Sequence, residues 1–137
     1  MRGILLDTNH LIWAATEPDR LSEEASALVA DASVRLLVSV VGFWEIALKN
    51  RTQYPDGTSK LPLPDGLDPF EAFLTSAGVG LLDLTLDHVR TELSAPPDTK
   101  DPFDYVLLQQ ARAEGATLLT SEAKLRGHPL ATYARAR

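Results

Sequence analysis

Cysteine is absent from this 137-residue chain, so it offers no disulfide framework, no thiol nucleophile and no thiolate metal site. Long apolar runs are absent too. Leu36 to Val41 and Val79 to Leu82 fall far below the ~20 residues that a bilayer span requires, and no membrane association is expected. The short apolar run after Met1-Arg2 stops at Asp7 without a small-residue cleavage site, and the expected location is the cytoplasm. A Gly-rich phosphate loop and a His-rich zinc motif are likewise missing, which removes two common catalytic platforms.

What is present is 45% hydrophobic and 23% charged residues, the balance of one ordinary globular domain, here expected to span residues 1–137. A chain of this length buries on the order of two thirds of its unfolded surface, so a bound metal would serve chemistry rather than folding. The net charge is -6 and unevenly spread. Residues 1–99 hold seven Lys and Arg against fifteen Asp and Glu; residues 100–137 hold six against four. Phosphate contacts dominate nucleic-acid affinity, so an acidic chain acting on nucleic acid needs a metal or a local basic rim.

Gly3 to Leu6, Arg35 to Val40, Val79 to Leu84 and Ala116 to Thr120 read as buried strands. Between them, His10 to Ala15, Leu21 to Asp31, Val41 to Asn50, Phe70 to Ala77, Leu86 to Leu93 and Asp101 to Glu114 read as helices, with a last short helix from Ser121. Tyr54 to Pro69 carries four of the nine prolines and reads as a long functional or partner-facing loop. Alternation of this kind predicts an α/β class with a central parallel sheet covered on both faces. Trp13, Phe43, Trp44 and Phe103 are expected in the core, and His10, His88 and His128 receive no catalytic role.

Ligands of open parallel sheets bind beyond the carboxyl ends of the strands. Asp7 follows the first predicted strand, Glu45 lies one turn into the helix after the second, and Glu122 follows the fourth. Asp101 and Asp104 open the long helix. Carboxylates gathered at one edge repel, and a hard divalent cation such as Mg²⁺ or Mn²⁺ relieves that repulsion while activating water against a phosphodiester. Each residue also has a plainer reading. Asp101 and Asp104 suit a helix N-terminus, Glu45 suits an exposed pair with Lys49, Asp7 a turn, and Glu122 a first-turn charge. The chemical reading rests on the set.

Four segments, Leu5 to Trp13, Ser39 to Lys49 (SVVGFWEIALK), Asp101 to Ala111 (DPFDYVLLQQA) and Glu114 to Glu122 (EGATLLTSE), resemble in order and spacing the PIN-domain family, in particular VapC-type toxins. The resemblance implies a three-layer α/β/α domain with four to five parallel strands. It also implies a Mg²⁺- or Mn²⁺-dependent endoribonuclease cutting tRNA, rRNA or mRNA, a VapB-like antitoxin partner and a homodimer. On it, Asp7, Glu45 and Asp104 correspond to the metal-binding carboxylates. Glu122 stands where the family usually has Asp, and Asn9, Thr120 and Asp101 are supporting residues. Two departures stand out. Glu122 is one methylene longer than Asp, and Tyr105 stands where relatives commonly carry Arg, leaving Lys49, Arg51, Lys100 or Arg112 to meet phosphate. The alternative is a degenerate PIN domain kept as an antitoxin- or partner-binding module. A receiver- or phosphatase-like phosphotransfer domain also needs Asp after its first strand, but Lys124 is poorly placed to serve it.

Overall fold

The computed structural model describes residues 2–137. Five strands, β1 (Arg2–Leu6), β2 (Val34–Ser39), β3 (Gly80–Leu82), β4 (Ala116–Thr120) and β5 (Ala131–Tyr133), form one sheet in the order β3-β2-β1-β4-β5. Every pairing is parallel, with Ile4 opposite both Leu36 and Thr117. From β1 the chain winds outward to β2 and β3 and later, on the other side, to β4 and β5. The topological switch point therefore lies between β1 and β4, the place where sheets of this kind bind ligands beyond the carboxyl ends of the strands.

Alternate residues of β1 feed two cores, as the two-residue period of a strand dictates. Ile4 and Leu6 join Leu36, Val38 and Leu119 under helices α1 (Thr8–Thr16), α2 (Glu23–Ala30) and α4 (Asp68–Ser76), which supply Leu11, Ala25 and Phe70. Leu5 joins Leu37 and Leu118 on the opposite face, under Leu107, Leu108 and Ala111 of α6 (Pro102–Ala113). The expected α/β/α layering is thus observed. Helix α3 (Val40–Arg51) packs against both α1 and α6, and α5 (Leu86–Arg90) lies on α6.

Several boundaries differ from the expected ones. β2 stops at Ser39, whose side chain accepts from Val41 N at 3.0 Å and so starts α3 one residue early. β3 is three residues long, α5 ends at Arg90, and the short helix after Ser121 is a single 3-10 turn, Ala123–Leu125. The proline-rich loop is pinned rather than free. Asn50 donates to Leu61 O, Ser59 donates to Asn50 O, and Leu61, Leu63 and Leu67 pack on the first core. Gly115 ends α6 with φ 66°, a left-handed stop that glycine adopts without strain.

The core assignment of Trp44 is wrong. Its side chain is 62% exposed and lines up with exposed Val40 and Leu48 along the outer face of α3, while Val41, Glu45 and Ile46 face inward. It meets Phe103 edge to face at 5.2 Å, bridging α3 and α6. Among the described residues no helix is long and apolar enough to cross a membrane.

Phe70 is fully buried and stands edge to face with Phe43 at 6.4 Å, coupling α4 to α3. Phe70→Ala is expected to cost about 3–5 kcal/mol by urea denaturation, from lost transfer energy plus an uncollapsed cavity. A loss below about 1 kcal/mol would show that α4 adds little to the core.

Candidate metal centre

Asp7 leaves β1 with its backbone N–H bonded to Leu119 O at 3.0 Å, which fixes it at the switch point. It is the N-cap of α1 and is buried. Its Oδ1 accepts from His10 N at 2.8 Å and contacts His10 Nδ1 at 2.9 Å. Glu45 enters from α3 and is equally buried, against the expectation of an exposed pair. Thr8 Oγ1 donates to its Oε1 at 2.6 Å, and Lys49 Nζ donates to its Oε2 at 2.7 Å. The Lys49 pairing is observed, but it closes over a buried carboxylate rather than standing on a solvated face.

Asp104, in the first turn of α6, reports the company it keeps. Burial pushes its carboxyl up to about 7, and the charges of Asp101, Asp7, Glu45 and Glu122 push in the same direction. All five predicted carboxylates therefore act on one electrostatic site. Their roles in it differ. Asp101 is exposed and caps α6, accepting from Phe103 N at 2.9 Å, so the capping reading holds alongside its charge. Glu122 is exposed as well, and its Oε1 accepts from Lys124 N at 3.2 Å. Thr120 is fully buried and its Oγ1 accepts from Glu122 N at 3.0 Å, holding the turn after β4. Asn9 is exposed, and among the described residues its side chain joins none of the hydrogen bonds around the carboxylates. Thr8, its neighbour, holds Glu45 instead.

Two histidines are also better placed than their isolation in the sequence suggests. His10 touches the Asp7 carboxylate, and His88 Nε2 lies 3.0 Å from Glu114 Oε2. The sequence does carry a usable signal for both, since each stands three residues after a helix cap, the spacing of a capping box.

The donor set is all hard oxygen and carries surplus negative charge, which suits Mg²⁺ or Mn²⁺ and not a soft metal. Among the described residues no three Asp, Glu or His side chains are gathered tightly enough to ligate one ion directly. That spacing fits a cation held by one or two carboxylates and otherwise by water. Of the cations considered for phosphate, Lys49 is engaged by Glu45 and Arg112 reaches Ser94. Lys100 and Lys124 instead line a cleft of about 530 Å³ with Pro97, Asp98 and Thr99, beside Asp101 and Glu122.

The family profile described as PIN domain matches residues 4–128. Comparison with curated protein sequences gives no match. Among solved structures, the chain is similar to VapBC2 from Rickettsia felis, bound there to a DNA fragment from its promoter. The TM-score is 0.65 at 18% identity, covering 98% of this chain and 99% of that one. It is also similar to a toxin–antitoxin complex from Klebsiella pneumoniae, with TM-score 0.58, 16% identity and coverage of 94% and 95%.

The proton on Asp104 generates a pH prediction. Between the ordinary carboxyl value of 3.8 and the folded-state value of about 7, the folded chain keeps a proton that the unfolded chain has lost. Stability of the metal-free protein therefore falls as pH rises through that window. Thermal unfolding in chelator should show a falling midpoint, and Asp104→Asn should flatten that fall and unfold at higher temperature than the parent at pH 8. An unchanged slope in the variant would mean that Asp104 is not the crowded group.

Proposed function

The chain belongs to the PIN-domain family, and from that premise we propose that it is a metal-dependent endoribonuclease, the toxin of a VapBC-type pair. The observation that carries the reading is that Asp7, fixed at the switch point by its bond to Leu119 O, and Glu45, held by the adjacent Thr8, are both buried carboxylates at one sheet edge; the raised carboxyl of Asp104 agrees with it. Mg²⁺ or Mn²⁺ would be held among Asp7, Asp104 and Glu45, by one or two of these carboxylates directly and by the rest through water, with Glu122 and Asp101 at the edge. The bound cation supplies Lewis-acid stabilisation of phosphate charge and a water acidic enough to attack near neutral pH.

The chain's own groups prepare that chemistry. Asp104, whose carboxyl is raised by burial and its acidic neighbours, would give up its proton if a cation relieved that repulsion, so cation binding would be linked to proton release. Glu45, gripped at one oxygen by Thr8 and at the other by Lys49, keeps one orientation and serves to align the attacking water. Lys100 and Lys124 offer positive charge to RNA phosphates at the rim of a protein that is otherwise acidic. A VapB-like antitoxin as partner is supported by the likeness to two toxin–antitoxin structures.

The test is cleavage of a mixed tRNA, rRNA and mRNA pool with Mg²⁺, Mn²⁺ or EDTA. Metal-dependent fragments are expected, and Asp7→Asn should lower the rate at least about a hundredfold while remaining folded, since a Lewis-acid ion contributes several kcal/mol. No fragments with any cation, and no Mn²⁺ uptake by calorimetry, would assign the chain to the binding-module reading. The exposed position of Glu122 is what favours that alternative. A second expectation concerns Lys100→Ala/Lys124→Ala. The slope of log affinity for single-stranded RNA against log salt should fall by about 1.4, because two phosphates are no longer neutralised.

A further inference from the structure

We propose that His10 is the positioning residue that makes Asp7 a one-oxygen metal ligand, an inference that rests on the metal-site reading above. Asp7 Oδ1 meets two nitrogens from the first turn of its own helix, accepting from the backbone N–H of His10 at 2.8 Å and lying 2.9 Å from ring Nδ1. Oδ2 takes part in no hydrogen bond among the described residues, so it is the oxygen left for a cation. The ring cannot swing away. It is 1% exposed and stands edge to face with Trp13 at 5.1 Å, and Trp13 is covered in turn by the Arg20 guanidinium at 5.1 Å.

The second ring nitrogen shows that packing alone does not account for this histidine. With the Nδ1 hydrogen directed at Asp7 and the ring neutral, Nε2 is a buried acceptor, and among the described residues it has no partner. Such an orphan is destabilising, and leucine would fill a similar volume without it. His88 provides the internal contrast. At the same third position of α5, its Nδ1 accepts from Thr85 N at 3.1 Å and its Nε2 reaches Glu114 at 3.0 Å, so both nitrogens are satisfied. His88 is explained by the helix it caps; His10 is explained by what its Nδ1–H does to Asp7. Groups that fix a ligating carboxylate in this way are typically worth 10- to 100-fold in metal affinity, on the order seen for outer hydrogen bonds generally.

The experiment is calorimetric titration of the metal-free protein with Mn²⁺, in parallel with thermal unfolding, for the wild type, His10→Leu and His10→Asn. The asparagine amide nitrogen stands at the same bond distance from the backbone as Nδ1 and keeps the donor. His10→Leu is expected to unfold no earlier than the wild type yet bind Mn²⁺ about 10- to 100-fold more weakly, and His10→Asn to recover most of the affinity. Nitrogen-15 spectra of the metal-free wild type should show His10 as the Nδ1–H tautomer. Equal Mn²⁺ affinity in all three proteins, or an Nε2–H tautomer, would overturn the assignment. A wild type that takes up no Mn²⁺ would instead bring down the metal-site reading itself, and this inference with it.

Discussion

Crowding of like charge at the carboxyl ends of β1 and β4 is the constraint around which the rest of the molecule is arranged. Parallel strands side by side lie roughly 4.8 Å apart, and the Asp7 N–H to Leu119 O bond locks the two exits together. Asp7 and the Thr120-to-Glu122 turn therefore cannot separate without breaking the sheet. Helices α3 and α6 then add Glu45 and Asp104 at the same edge. Such a cluster is tolerable only if each oxygen has a donor, a proton or a cation. Thr8, His10 and Lys49 are donors, and Asp104 keeps the proton.

The layering was legible because buried parallel strands read as short apolar runs ended by turn residues, and the helices between them carry clear caps. Asp7 was legible for a topological reason, since it follows the first strand of such a sheet. Glu45 was less so. Periodicity turns apolar side chains inward, whereas α3 turns Glu45 in and leaves Trp44, one residue earlier, in solvent. A helix whose pattern is locally reversed departs from consistency across levels, and such departures concentrate where chemistry outranks stability. β5, three residues long, gave too few residues for a period to emerge, and β3 was legible but read longer than it is. Thr8, which holds Glu45, was not legible, because neighbours on a helix point to different faces and sequence adjacency does not choose between Thr8 and Asn9.

The two capping histidines show how one spacing serves opposite ends. In α5 the ring nitrogen accepts a backbone hydrogen and closes a capping box; in α1 it meets a carboxylate. Gln110, fully buried, ties His88 and Asp83 O to α6, so the short α5 is held by polar contacts in place of a large apolar face.

The outermost strands, β3 and β5, are also the shortest, at three residues each. A foreign strand seeking to extend the sheet would find only a few open backbone groups on either flank, too few to hold it. The molecule is thus closed to growth by backbone pairing. The exposed apolar side chains Val40, Trp44 and Leu48 stand on a helix, so they add apolar surface without adding an open sheet edge.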